Sequence, residues 1–363
     1  MTSQTYSQRL KHFQDRLDVL QKEANFPGAT AAFMLANGQS SGFATGYADK
    51  ENKIAMTPNT KMLSGSVGKT FVAAVVLSLV QSGKVHLDDR LEKWFGEQLW
   101  YDRLPNGKDI TLRMLLNHTS GLNNHTRDER FRKAIRQHFA SDNPNRDFCF
   151  LPQELVELIL DKEPLFAAGE GFSYSNTGYI LIGMLVEQVS GTTYYEELSK
   201  RFLTLLNLSL TGPANSRNIP GLSPGYLSPS NPLGLPEKNM LDGVLVFNPA
   251  VEWTDGGLFT NPQDLVQWAK VLYEGKAMKN LYLNDLLTSV PRDEAEKTRY
   301  GLGVTIRETE FGITYGHNGW TPGYQSIFAY FPENKVAIAM QVNSVENQDM
   351  VTYLKALAEV VLQ

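Results

Sequence analysis

The chain has 363 residues, with 34 Lys and Arg against 39 Asp and Glu, so its formal net charge is -5. Hydrophobic residues at 42% and charged residues at 20% exclude a disordered chain, and no apolar run reaches the ~18 residues of a membrane span. The acidic balance speaks against a nucleic-acid partner, and the single cysteine, Cys149, excludes an intramolecular disulfide and a thiolate zinc cage.

Tyr6, Leu10, Phe13, Leu17 and Leu20 recur at spacings of four and three, which predicts an amphipathic helix laid on an apolar surface. This opening has no apolar core of a signal peptide, so the chain as it stands is expected in the cytoplasm, or in the periplasm or outside the cell if a leader has been removed. After Pro27-Gly28, the runs Ala29–Ala36 and Ser41–Tyr47 flank Asn37-Gly38, a hairpin signal. Phe71–Ser82 is apolar almost all round and is expected to be a buried helix. Leu151–Leu160, Tyr179–Val189 and Asp264–Tyr273 are further helix candidates. Six of the 17 prolines fall between Pro213 and Pro236, which predicts a long, stiff surface loop. Tyr300–Arg307, Ile313–His317, Tyr324–Phe331 and Val336–Asn343 read as strands, with Pro332-Glu333-Asn334-Lys335 as a turn. Met350, Leu354, Leu357 and Val361 form a closing helical stripe. The economical assembly is an α+β fold: one antiparallel sheet built from both chain ends and covered by the terminal helices, beside a mainly helical middle.

Three segments carry chemistry. In Ser66-Val67-Gly68-Lys69 the residues three apart share a helix face, so the Lys69 ammonium can reach the Ser66 hydroxyl. The helix start adds positive potential that favours a developing oxyanion, and a serine becomes a nucleophile when a neighbouring base takes its proton. A phosphate-binding loop is excluded because Leu63 stands where a glycine is required, and a Gly-x-Ser-x-Gly elbow because Ser64 replaces the first glycine. Tyr174-Ser175-Asn176 immediately precedes an apolar helix. A phenol acts as a base at neutral pH when a cation holds it as phenolate or when proton transfer is concerted, and Lys69 is a candidate cation. Asn176 offers a donor and an acceptor to a substrate amide or carbonyl. His317-Asn318-Gly319 ends a predicted strand, where Gly319 lets a substrate lie against the edge and His317 can hold a carboxylate or tune the tyrosine. Alone, each segment also reads as plain structure: a capping serine with a solvated lysine, a half-buried tyrosine, or a structural histidine.

Together, in this order, Ser-x-x-Lys, Tyr-x-Asn and His-x-Gly resemble the serine β-lactamase and penicillin-binding-protein superfamily. The Tyr-x-Asn form is similar to the class C β-lactamase branch, with its DD-peptidase, D-aminopeptidase and carboxylesterase relatives. Leu115-Leu116-Asn117-His118-Thr119-Ser120-Gly121-Leu122 and Asp255-Gly256-Gly257-Leu258 fit the same pattern. The resemblance implies a β-lactamase/DD-peptidase-like fold, with residues 1–62 and 296–363 as the α/β sheet part, 63–295 as the mainly helical part, and the site between them. It implies Ser66 as the acylated nucleophile, Lys69 and Tyr174 sharing the base role, Asn176, His317 and Gly319 touching substrate, and the backbone N–H groups of Ser66 and Trp320 as the oxyanion hole. No cofactor and no metal are implied. The expected reaction is acyl transfer from a small ester, amide or peptide. His317 stands where the β-lactamases of the branch usually carry lysine, so an esterase or D-amino-acid peptidase is favoured over a true β-lactamase, with a catalytically silent binding module as the other class. His118 is expected to bond the Thr119-Ser120-Gly121 turn, Cys149 to be a small buried hydrophobe, and Trp253 and Trp320 to line the pocket or simply pack.

Overall fold

The computed structural model describes residues 5–139, 146–279, 282–346 and 348–362. The N-terminal helix spans Tyr6–Ala24. It opens on a capping box between Thr5 and Gln8 and closes at Asn25, whose φ of 52° suits a left-handed cap. The strands Gly28–Met34 and Ser40–Asp49 follow as a hairpin, with Gly38 at φ 86° in the Asn37-Gly38 turn.

These two strands join the C-terminal block in one nine-stranded antiparallel sheet. Its order is Ile54–Ala55, Ser40–Asp49, Gly28–Met34, Val336–Val342, Tyr324–Phe331, Gly312–Thr321, Thr305–Thr309, Thr298–Tyr300 and Val290–Asp293. The expected segment Tyr300–Arg307 is therefore not one strand. Gly303, at φ 70°, turns the chain between two strands, and Gly301 N–H donates to the Val304 carbonyl at 2.8 Å. The sheet block also starts at Val290, ahead of residue 296, on a strand whose exposed, charged sequence carries no apolar alternation.

Side-chain alternation decides what each face packs against. Ala29, Ala31, Phe33, Ile338 and Met340 point to the N-terminal helix and to the closing helix Met350–Leu362, meeting Phe13, Leu17 and Leu357. Ala32, Phe328, Ala337 and Ala339 point the other way, onto the helix Pro262–Tyr273 and its Leu265 and Trp268. That helix links the sheet to the helical region, where Lys69–Gln81 and Asn176–Ser190 are buried nearly all round. The helix expected over Leu151–Leu160 is shorter, Pro152–Glu157, since Arg130 takes the Leu158 carbonyl and Asp161 turns at φ 59°.

The proline-rich stretch is irregular, as its prolines require, but it is not merely a surface loop. Ile219, Leu222, Leu227 and Leu235 are buried with Phe247 and Tyr324 in a third apolar cluster. Prolines block ladder hydrogen bonds, but they do not stop intervening leucines from seeking cover. No described helix is long and apolar enough to cross a membrane.

Phe13 is fully buried and meets the rings of Phe33 and Phe43 at 5.1 and 4.5 Å between centroids. Phe13→Ala is expected to cost about 3–5 kcal/mol, whereas Val19→Ala on the same helix, 38% exposed, is expected to stay within ~0.5 kcal/mol. Urea midpoints at unchanged m measure both.

Candidate active site

Ser66 lies in a tight 3-10 turn, Gly65–Gly68, that runs straight into the helix Lys69–Gln81. Its side chain is partly accessible, while Lys69 is completely buried. The ammonium donates to Ser66 Oγ at 3.2 Å and to the Asp255 carbonyl. It also lies 5.1 Å from the ring centre of Tyr174 and 5.2 Å from that of Tyr179, both within cation–π range. The lysine is thus not solvated, as an isolated surface motif would have it.

Asp255 reaches the lysine because of the two glycines after it. A Cβ on Gly256 would fall 2.6 Å from the Gly65 carbonyl carbon and 3.0 Å from Ser66 N, so only glycine lets the backbones approach this closely. Ser64 ties the same two segments together, its N–H donating to the Leu258 carbonyl at 2.8 Å and its hydroxyl to Gly256 O at 3.1 Å. On the other flank, a Cβ on Gly319 would lie 1.9 Å from Ser64 O, and one on Gly65 would lie 2.6 Å from Trp320 N. The backbones of Ser64–Ser66 and Gly319–Trp320 therefore abut, bringing together the two stretches expected to supply oxyanion donors.

Tyr174 and Asn176 stand at the start of the helix Asn176–Ser190. The Tyr174 hydroxyl and Asn176 Oδ1 are buried atoms without a hydrogen-bond partner, and Ser175 caps nothing with its side chain. Ser175 instead donates its backbone N–H to His118 Nδ1 at 3.2 Å. His118 was expected to bond its own turn. It lies against Tyr174 instead, 4.1 Å between ring centres, and Asn117 bonds Thr119 of that turn. Burial and the nearby Lys69 charge hold the His118 imidazole well below its ordinary range, so it is a neutral brace.

His317 differs most from expectation. It is 4% exposed, and both ring nitrogens are engaged. Nδ1 lies 2.6 Å from the Asn318 carbonyl, which can only accept, so Nδ1 carries the proton. Nε2 therefore accepts from the Tyr300 hydroxyl at 2.7 Å. Burial pushes its pKa down to about 3. The expected direct grip on a substrate carboxylate is thus replaced by a neutral ring locked between Tyr300 and its own strand. The strand edge itself presents Asn318 and a half-exposed Trp320. Trp253 packs over Gly183 rather than at the mouth, and Cys149 is half-buried with its thiol pushed up to about 11.

Several residues escaped the sequence reading. Tyr300 is isolated in sequence and becomes relevant only because the sheet brings its hydroxyl to His317 from two strands away, beyond Thr305–Thr309. Asp255 was visible in a motif, but its carbonyl role was not. Glu252, one turn earlier, accepts from the Thr321 hydroxyl on the third-motif strand. Burial raises its carboxyl to about 8, helped by the Asp255 charge, and raises Asp255 to about 6. His125 bonds Thr177 through Nδ1 at 3.1 Å, so it shares no ligand cluster with His118.

A family model, Beta-lactamase, matches residues 11–362. Penicillin-binding protein 4* of Bacillus subtilis is 23% identical over 97% of this chain and 76% of its own length. D-aminopeptidase of Brucella anthropi is 27% identical over 82% of this chain and 52% of its own. Among solved structures, a D-stereospecific amidohydrolase from Streptomyces sp. superposes with a TM-score of 0.82 at 26% identity, covering 95% of this chain and 97% of that one. D-amino acid amidase from Ochrobactrum anthropi SV3, solved with L-phenylalanine amide, gives 0.77 at 27% identity, covering 97% and 96%.

The buried neutral histidine makes a signed prediction. Between pH ~6.5 and ~3 the unfolded chain binds a proton at His317 that the native state refuses, so native stability falls as pH drops through that window. Each pH unit inside it is worth up to about 1.4 kcal/mol. His317→Gln lacks this response, and the other titrating groups cancel between the two proteins. The stability of wild type minus His317→Gln, from urea unfolding at pH 6.5 and 4.5, is expected to shrink on acidification; a pH-independent difference contradicts a buried neutral ring.

Proposed function

The chain belongs to the Beta-lactamase family, and from that premise we propose that it is a serine hydrolase working through an acyl-enzyme on small amides, esters or short peptides of the D-amino-acid type. The observation that carries this reading is the buried Lys69 ammonium 3.2 Å from Ser66 Oγ, beside a tyrosine hydroxyl left without a partner.

The step runs as follows. Ser66 Oγ attacks the substrate carbonyl carbon, forming the C–O bond. Its proton passes to the Lys69–Tyr174 pair, and the carbonyl oxygen takes negative charge facing the Ser66 and Trp320 backbone N–H groups. Losing one such donor typically costs ~10²–10³ in turnover. The pair returns the proton to the leaving nitrogen or oxygen as that bond breaks. Water then hydrolyses the acyl-serine, releasing the acid and restoring Ser66. The pair takes this proton only when it holds one proton less than the full ammonium–phenol set, either as the Lys69 ammonium beside a Tyr174 phenolate or as the Tyr174 phenol relaying its own proton to a free Lys69 amine. The Tyr174 oxygen is open to the serine because it bonds nothing in the free protein. Asn176 Oδ1, also unpartnered, is positioned to accept from a substrate amide N–H.

β-Lactam hydrolysis is the less supported reading. His317 is neutral and fully engaged, so the third motif brings no cation to a β-lactam carboxylate, and the pocket contains two carboxyl side chains. A silent binding module has no need of Ser66, Lys69 and Tyr174 together.

Treatment with a fluorophosphonate is expected to add its phosphonyl group to Ser66, read by intact mass and peptide mapping; an adduct that survives Ser66→Ala, or that maps to Ser64, refutes the nucleophile. Lys69→Ala and Tyr174→Phe are each expected to lower kcat/KM for a p-nitrophenyl ester by ~10²–10⁴. The double variant should lose little more than either alone, because the two act as one proton-handling unit. Losses that multiply speak against a shared role.

A further inference from the structure

We propose that the side-chain carboxyl groups of Asp255 and Glu252 form a seat for a substrate ammonium, so that the site selects acyl groups bearing a free primary amine close to the scissile carbonyl. This rests on the serine-hydrolase reading above and names the substrate class of that site.

A cavity of about 520 Å³ opens beside Ser66. Its lining includes the polar side chains of Asn176, His125, Glu252 and Asp255 and the apolar ones of Phe131, Ile135 and Phe247. Arg132 and Arg136 lie exposed at its rim, bonded to the Thr126 carbonyl and to Glu129. Charge is thus arranged with acids inside and guanidinium groups at the mouth.

The inner acids are sparsely partnered: one hydroxyl reaches Glu252, and the nearby Lys69 charge acts on both. The Asp255 side chain is 9% exposed, and among the described residues no hydrogen bond reaches its carboxylate. His125, 1% exposed, places Nε2 3.9 Å from Asp255 Oδ2, beyond hydrogen-bond reach, and its pKa of about 3 keeps it neutral, so it does not pair with the acid. Asn176 Oδ1, in the lining of the same cavity, is a buried acceptor without a donor. Glu252 holds only the Thr321 hydroxyl, through one of its two oxygens. A buried acceptor that finds no donor, as at Asn176 Oδ1, leaves a desolvation cost unmet.

A primary ammonium offers three donors and one positive charge. Seated between Asp255 and Glu252, it relieves the repulsion that raises the Glu252 carboxyl and offsets the burial that raises both. The apolar lining of Phe131, Ile135 and Phe247 then takes the side chain of an amino-acyl group whose carbonyl lies at Ser66. An N-acylated substrate has one amide donor and no charge, and a carboxylate-bearing one meets two acids.

The test uses paired substrates: alanine p-nitroanilide in both D and L forms, and the same compounds N-acetylated. In wild type, kcat/KM for the better enantiomer is expected to exceed that of its N-acetyl derivative by ~10² or more. Asp255→Asn and Glu252→Gln are each expected to reduce this ratio by ~10-fold or more, mainly through KM. Because the Asp255 carbonyl also serves Lys69, the ratio within one protein is the readout, and Glu252→Gln stands in where Asp255→Asn does not fold. A second measurement needs no turnover: in Ser66→Ala protein, D- or L-phenylalanine amide should raise Tm at concentrations where its N-acetyl derivative does not. Equal hydrolysis of free and acetylated substrates by wild type overturns the ammonium seat and leaves the hydrolase reading standing. Absence of any turnover with a selective Tm shift overturns the hydrolase reading and supports the seat. No selectivity in either measurement overturns the seat.

Discussion

A lysine ammonium buried without solvent contact is the constraint around which this molecule is arranged. Taking such a charge out of water costs several kcal/mol unless its donors are met. Lys69 meets its requirement through Ser66 Oγ, the Asp255 carbonyl and the faces of Tyr174 and Tyr179. Each partner arrives on a different piece of chain: the serine from the preceding turn, the carbonyl from the Asp255-Gly256-Gly257 segment, and the aromatics from the start of the helix Asn176–Ser190 and the residues just before it. The burial of one cation therefore ties the helical region together exactly where the sheet edge comes down on it.

The same charge sets the protonation of its surroundings. His118, His125 and His317 all lie deep, and burial first, then Lys69, keeps each of them neutral. They act as hydrogen-bonding braces, the tautomer of His118 set by the Ser175 N–H and that of His317 by the Asn318 carbonyl, while His125 bonds the Thr177 hydroxyl. The acids behave in the opposite way: Asp255 and Glu252 are pushed up by burial, and Lys69 only partly offsets the rise. The site thus sets one buried lysine, bonded to the serine hydroxyl, beside two carboxyl groups raised by burial.

Glycine makes the approach possible. Gly65, Gly256 and Gly319 each stand where a Cβ would collide with the backbone of a neighbouring segment. Gly303 plays a related part at one remove: its turn presses against the Lys69 carbonyl, where a side chain would lie 2.8 Å away, and so seats the strand carrying Tyr300. These are contacts between segments far apart in sequence, and they convert three separate motifs into one surface.

Much of this was legible in the chain itself. The period of Phe13, Leu17 and Leu20, the Asn37-Gly38 turn and the short apolar run of Val336–Val342 specify their elements locally, because each burial pattern is written into neighbouring residues. The spacing of Ser66 and Lys69 on one helical turn determined their contact for the same reason. The strand Val290–Asp293 was hidden because an exposed edge strand needs no apolar alternation, and the turn inside Tyr300–Arg307 because its two short strands read as one run. The inward packing of the Pro213–Pro236 leucines, the lock of His317 by Tyr300, the bond from Lys69 to the Asp255 carbonyl and the pairing of Glu252 with Thr321 were decided only by the tertiary structure. Each joins residues whose separation in sequence carries no information about distance, and the charge state of a buried group depends on every neighbour that replaces its water.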